Sequence, residues 1–142
     1  MSNLAYKPVK DAIVTILNTL APATLKVVYS KEEKKLENFP AACVSYVGHT
    51  AELHDSVSNR KHYQHYVRVY FRTDETNDPD YEDVLGAVAD TVIQALEHDL
   101  TLGGVVDWSL PTSGRWLASP TIKETPVRYL ELIVKSEARV IR

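Results

Sequence analysis

Apolar and polar positions alternate most clearly between Arg60 and Arg72, in the run Arg-Lys-His-Tyr-Gln-His-Tyr-Val-Arg-Val-Tyr-Phe-Arg. Aromatic and β-branched residues dominate it, which predicts a strand. With period two, Tyr63, His65, Val67, Val69 and Phe71 share one face, and the second half of that face is apolar. His62, Gln64, Tyr66, Arg68, Tyr70 and Arg72 share the other, which is aromatic and cationic. The first face suits a core; the second suits contact with another molecule. Upstream, Val9, Ile13, Ile16, Leu17 and Leu20 recur at helical spacing and predict an amphipathic helix from Lys7 to Leu20, with Pro8 in its first turn and Pro22 stopping it. A short strand over Leu25 to Tyr29 follows. A second runs from Ala41 to about Val47, entered through Phe39-Pro40, where the proline biases Phe39 toward an extended backbone.

Downstream, Val84, Leu85, Val88, Ala89, Val92, Ala95 and Leu96 form a broad apolar stripe. They predict a helix from Pro79 to about His98, with Asp78 as its N-cap. Gly103-Gly104 marks a turn where φ can be positive. Val105 to Leu110 is a strand candidate, Pro111-Thr112-Ser113-Gly114 has turn chemistry, and Arg115 to Ala118 is a short strand. Val127 to Lys135 is the last strong strand, with Leu130, Leu132 and Val134 on one face and Val127, Tyr129, Glu131 and Ile133 on the other. From about Ser136 a carboxy-terminal arm can prolong it. This order predicts an α+β fold: a mostly antiparallel sheet of about five or six strands with two amphipathic helices packed on one face. No repeat or linker divides the chain, so residues 1–142 are expected to form a single domain.

Three polar stretches interrupt the pattern. Ser30 to Asn38 carries mixed charges and is expected to be a solvated loop or a hairpin tip. Gly48 to Asn59 is expected to be a long loop of about a dozen residues, more than most hairpin connections need. Lys31, Glu33, Lys34, His54, Asp55 and Arg60 are the residues expected to project from these loops. Thr73 to Asp83 is acidic, and the acids of its second half suit a helix N-terminus.

Composition narrows the function classes. Hydrophobic content is 44% and charged content 25%, which is ordinary for a globular chain and argues against disorder. Sixteen basic and 19 acidic residues leave a net charge of −3, which disfavours a general nucleic-acid coat. A single cysteine, Cys43, cannot make an internal disulfide or a cysteine-built zinc site, and between Ala42 and Val44 it reads as a small core residue. No basic segment followed by an apolar run opens the chain. No stretch reaches the roughly 18 apolar residues of a membrane helix. A soluble product made in a cytoplasm is expected.

Candidate chemistry is thin. His62 and His65 point to opposite faces of a strand and cannot chelate one metal; His49 and His54 lie in the long loop, and His98 ends a helix. Ser109 and Ser113 lack a Gly-x-Ser-x-Gly elbow. Gly103-Gly104 has neither the P-loop nor the dinucleotide pattern, and it follows a helix where a P-loop would precede one. Trp108 and Trp116 read as core or interface anchors. No catalytic, cofactor-binding or metal-binding set is expected, and the chain is not expected to be an enzyme.

Several phrases carry a family resemblance. They are Leu102-Gly103-Gly104-Val105-Val106-Asp107, Trp116, and Pro126-Val127-Arg128-Tyr129-Leu130-Glu131-Leu132-Ile133-Val134. The helix Tyr81 to Leu96, the strand ending Val67-Arg68-Val69-Tyr70-Phe71, Phe39-Pro40-Ala41 and Leu20-Ala21-Pro22 extend the likeness over most of the chain as a pattern of elements. Together they resemble the tail terminator family, also called minor tail or tail-completion proteins, of long-tailed bacteriophages. The resemblance implies a structural subunit of a homo-hexameric ring that caps the tail tube, stops tube polymerisation and offers a surface for joining the head. It implies as partners further copies of the chain, the major tail tube protein and head connector or neck proteins. DNA would pass only in transit through the lumen, with no membrane and no cofactor involved. It places the protein in the virion, at the head-proximal end of the tail, after assembly in the bacterial cytoplasm. A head-completion or neck protein and a small non-enzymatic protein-binding module stand beside this reading. A closed ring needs two unlike, complementary patches on each subunit. The basic aromatic residues Tyr66, Arg68, Tyr70 and Arg72 and the acidic residues Asp74, Glu75 and Asp80 are the expected subunit or tube boundary.

Overall fold

Helix α1 (Tyr6–Asn18) is followed by β1 (Val27–Tyr29), β2 (Ala41–Leu53), β3 (Ser58–Arg72), α2 (Tyr81–His98), β4 (Trp108–Ile122) and β5 (Thr125–Ile141). The computed structural model describes residues 6–21, 23–31, 38–53, 55–72, 81–122 and 125–141. The strands form one sheet in the order β1-β2-β3-β5-β4. Three of its pairings are antiparallel, and β1 lies parallel to β2. The chain is therefore α+β, with a five-stranded, mostly antiparallel sheet and two helices.

The alternation seen in β3 is what its neighbours use. Tyr63, Val67, Val69 and Phe71 join the main hydrophobic cluster with Ala42 and Val44 of β2 and Leu130, Leu132 and Val134 of β5. Val9, Ile13 and Leu17 of α1, each four residues from the next, belong to the same cluster, as do Leu85, Ala89, Val92 and Leu96 of α2, spaced by three or four. That spacing keeps each set on one stripe of its helix. On the polar side of α1, Lys7 and Asp11 form an ion pair one turn apart at 2.6 Å. A smaller cluster, Ala41, Cys43 and Tyr70, lies on the second face of the sheet and is flanked by Val27, Tyr29, Phe39 and Tyr129. Cys43 is buried there, as its apolar neighbours predict. After α2, Leu102, Gly103 and Gly104 all take positive φ and turn the chain toward β4.

Three expectations need correction. Gly48 to Asn59 is not a long loop: β2 continues to Leu53 and β3 begins at Ser58, paired as far as Leu53 opposite Asn59. His49 to Leu53 are exposed. This part of β2 has no buried face, so it carries none of the period-two apolar signal that marks a half-buried strand. The strands on either side of Ser30 to Asn38 run parallel and so are not a hairpin pair; residues 32–37 of that segment lie outside the described residues. The segment from Ser136 prolongs the last strand: it is the end of β5, paired with β3 from Ser58 to Tyr63.

The third correction concerns Pro111 to Gly114, which do not form a turn. They lie inside β4, one continuous strand with a register shift between Pro111 and Ser113. A proline is tolerated on an edge strand or at a bulge, and this one is at both. Gly114 serves close packing: a Cβ built on it would come within 2.6 Å of Leu132 Cδ2. Leu132 is buried in the main cluster and has little room to yield. Gly114→Ala is expected to destabilise the fold by about 1–3 kcal/mol, the usual range for overpacking. Urea denaturation measures this directly, and an unchanged midpoint would contradict it.

Candidate functional site

The cationic aromatic residues of β3 all stand on the second face of the sheet, but they differ in what they offer. Arg72 is exposed, Tyr66 and Arg68 are half-buried, and Tyr70 is only 6% exposed. Tyr70 packs on Tyr129 with ring centroids 5.0 Å apart and holds the smaller apolar cluster together. It is a packing residue rather than a contact on offer, a correction to its expected role.

Arg68 already has a partner within the chain. Its Nε donates to Glu131 Oε2 at 2.9 Å, and its guanidinium lies 4.4 Å from the centre of the Tyr66 ring. From the other side, Arg115 of β4 donates to Glu131 Oε1 from Nε at 3.1 Å, with Nη2 at 3.0 Å. The register places Arg68, Glu131 and Arg115 side by side across β3, β5 and β4. Glu131 is 4% exposed, so its carboxylate is satisfied by these two cations rather than by bulk water.

A second polar group occupies the far end of the same face. Arg60 Nε lies 2.8 Å from Glu137 Oε1, and its Nη1 lies 3.6 Å from Glu52. Trp108 Nε1 donates to the other oxygen of Glu137. Arg60, expected to project from a loop, is therefore held on the sheet. Asp55 is also held rather than projecting freely. Its Oδ1 accepts the N–H groups of Val57 at 2.9 Å and Ser58 at 2.8 Å, and the Ser58 hydroxyl at 2.8 Å. Its Oδ2 meets Arg139 of β5 at 3.0 Å, and Arg139 Nε donates to the Ser58 hydroxyl at 3.1 Å. This closes the turn between β2 and β3 and ties it to β5.

The same bonds lower the Asp55 pKa to about 2, chiefly through the Val57 N–H and the Ser58 hydroxyl, with Arg139 adding to the effect. A carboxylate depressed on folding adds stability that is complete above its unfolded pKa and is lost as pH falls through the folded value. For Asp55 that window lies between its ordinary value of 3.8 and about 2. Following the Asp55 side-chain carboxyl by NMR is expected to give a midpoint near 2, with Ser58→Ala moving it upward. A wild-type midpoint near 3.8 would contradict the turn's geometry.

Of the other predicted residues, Lys31 is exposed beyond β1. Glu33, Lys34, His54, Asp74, Glu75 and Asp80 lie outside the described residues. The histidines are dispersed. His62 sits opposite Glu137 on the second face and His65 opposite Val134 on the core face, so the two point apart as their spacing predicts. His65 is fully buried, 5.5 Å from the Tyr46 ring, whose hydroxyl is 2.7 Å from His49 Nδ1. Burial first, and then the nearby Tyr46, hold the Tyr63 hydroxyl above its ordinary pKa. Among the described residues no three His, Cys, Asp or Glu side chains come together as a metal site. No described helix is long and apolar enough to cross a membrane.

The sequence reading assigned no role to Glu131, Arg115, Glu137 or Arg139. One signal was available. Glu131 is a lone acid in the run Leu130-Glu131-Leu132-Ile133-Val134, and Arg68 a lone cation in Val67-Arg68-Val69. A charge amid apolar strand residues needs a partner, and each is the other's. Compared with known proteins, the chain matches no family model and no curated sequence.

Glu131→Ala is expected to cost about 2–4 kcal/mol, because it removes the buried carboxylate that Arg68 and Arg115 share. Arg115→Ala removes a largely exposed partner and is expected to cost under about 1 kcal/mol. Chemical denaturation of the two variants checks the order; equal losses would mean that Glu131 is not the hub of the group.

Proposed function

We propose that this chain is a non-enzymatic assembly subunit: a phage tail terminator that forms a ring on the end of the tail tube, stops its growth and presents the surface to which the head is joined. In this reading both helices pack on one face of the sheet and leave the second face for partners. The observation that carries the proposal is the second face itself. Arg68, Glu131 and Arg115, and then Arg60, Glu137 and Trp108, form a band of side chains held by one another on rigid strands. Groups ordered before contact lose little entropy on binding, which suits a surface used repeatedly in an assembly. The resemblance of the element order and of the Leu102–Asp107 and Pro126–Val134 phrases to tail terminators gives that assembly its identity.

The proposed partners are further copies of the chain, the tube protein and the head connector. Arg72 is the exposed cation at the end of the β3 band. It is a better probe of the subunit boundary than Arg68, whose loss would also break the Glu131 group. The acidic residues Asp74, Glu75 and Asp80 remain its proposed counterparts across that boundary.

The test is to image purified protein mixed with tail tubes. Rings at the head-proximal tube end are expected, with Arg72→Glu reducing the fraction of capped tubes several-fold. Binding at the portal end instead would identify a neck protein. Binding at neither end, with a monodisperse monomer, would leave only a small protein-binding module.

A further inference from the structure

The sheet has two margins that are open along part of their length. Among the described residues, β1 covers β2 only from Ala41 to Cys43, so no strand pairs with the outer side of β2 from Val44 to Leu53. Nor does any described strand pair with β4 on the side away from β5. Open margins carry rows of backbone donors and acceptors that template another strand. These two lie on opposite sides of one sheet, and three features fit them to each other.

The first is polarity. β2 is antiparallel to β3, β3 to β5 and β5 to β4, so β2 and β4 run in opposite directions. A second copy that continues the sheet therefore sets its β2 antiparallel to the first copy's β4. The second is charge. Arg115 is the one charged side chain of β4 and presents a positive charge at that margin, where it meets Glu131 of β5. Glu52 is the one acidic side chain of β2, a strand with no lysine or arginine, so this margin presents a negative charge; Arg60 and His62 of β3 lie 3.6 and 3.5 Å from it. The side chains nearest the margins are well exposed, Arg115 at 67% and Glu52 at 60%. The third is shape. A groove of about 310 Å³ runs beside β4, with Ala89 and Ile93 of α2 and Gly114, Trp116 and Leu132 in its wall. At the end of β2, Leu53 is 70% exposed.

One register satisfies all three. With Glu52 opposite Arg115 in an antiparallel pair, Leu53 falls opposite Gly114 and Ala51 opposite Trp116. Directly opposed residues of paired strands share a face. Arg115 shares the second face with Glu131, and Glu52 shares it with Arg60, so the charged pair meets there. Leu53 then lies on the core face, over the groove that Gly114 leaves open.

We propose that the outer half of β2 in one copy adds to the β4 margin of the next, with Leu53 in the groove between β4 and α2 and Glu52 against Arg115. The joined surfaces differ, so the contact is head-to-tail and repeats from copy to copy. It deepens the ring assembly proposed above and rests on it. A mixture of Glu52→Cys and Arg115→Cys chains, at concentrations where the protein self-associates or on tail tubes, is treated with a short thiol-specific cross-linker. A mixed dimer joined between positions 52 and 115 is expected, with no matching product from either variant alone. Leu53→Asp is expected to weaken self-association about tenfold or more, the loss expected when a buried leucine is denied its site. Its exposed position should keep its thermal unfolding like wild type, and Leu53→Ala gives a milder second measure. Oligomers that form without the 52–115 link, or that are indifferent to Leu53→Asp, would overturn this contact and leave the ring standing. A chain that stays monomeric at every concentration and on tubes would overturn both.

Discussion

A carboxylate buried in the middle of a sheet is tolerated only when cations meet it, and much of this structure follows from that condition at Glu131. Its two arginines come from different strands, Arg68 from β3 and Arg115 from β4, with β5 between them. A slip of one residue along β5 would turn Glu131 into the main hydrophobic cluster and bring Leu130 or Leu132 out among the charges. The ion group thus penalises the wrong register from both faces at once. The hydrophobic cluster supplies the driving force for closing the sheet, and the charged group selects which closure is stable.

The same division extends along the ribbon that β3 makes with β2 and β5. Near Val67 and Val69 the core face is buried and apolar contacts hold the strands. Toward Ser58 the apolar cover gives way to polar links. Arg60 joins Glu52 and Glu137, and Asp55 and Ser58 share Arg139. A two-stranded ribbon without a buried face is weak by itself. Here the end of β5 runs beside β3 to Ser58, and the Asp55 turn is tied to Arg139, so the projecting end is braced on the side where it would otherwise fray.

This explains what could be read from the sequence and what could not. The two faces of β3 were legible because one is buried, which imposes period two on residues 63 to 71. The helices were legible because Val9, Ile13 and Leu17, and Leu85, Val92 and Leu96, each mark one buried stripe. The outer half of β2 was not, since His49 to Leu53 are exposed and no face constrains their composition. β4 was misread because Pro111 and Gly114 are turn residues by local preference, whereas an edge position and contact with Leu132 account for them. Arg68 and Glu131 are 63 residues apart, so no local pattern shows that they meet. Only the isolation of each charge within an apolar run points to it.

Edge strands that join a further chain must be kept from joining any chain, and the features at these margins bear on that choice. Pro111 and the register shift beside it interrupt the hydrogen-bonding row of β4 at one end. On β2, the parallel strand β1 occupies the row from Ala41 to Cys43. Each device shortens the length over which an arbitrary strand could pair. What remains is bounded by a cation on β4 and an anion on β2, so two β4 margins or two β2 margins would set like charges together. The unlike pair of the proposed contact would meet no such repulsion and would also give Leu53 an apolar seat. In the proposed assembly, discrimination of this kind, in which wrong pairings are penalised as well as the right one favoured, would let association proceed in one direction around a closed set of copies.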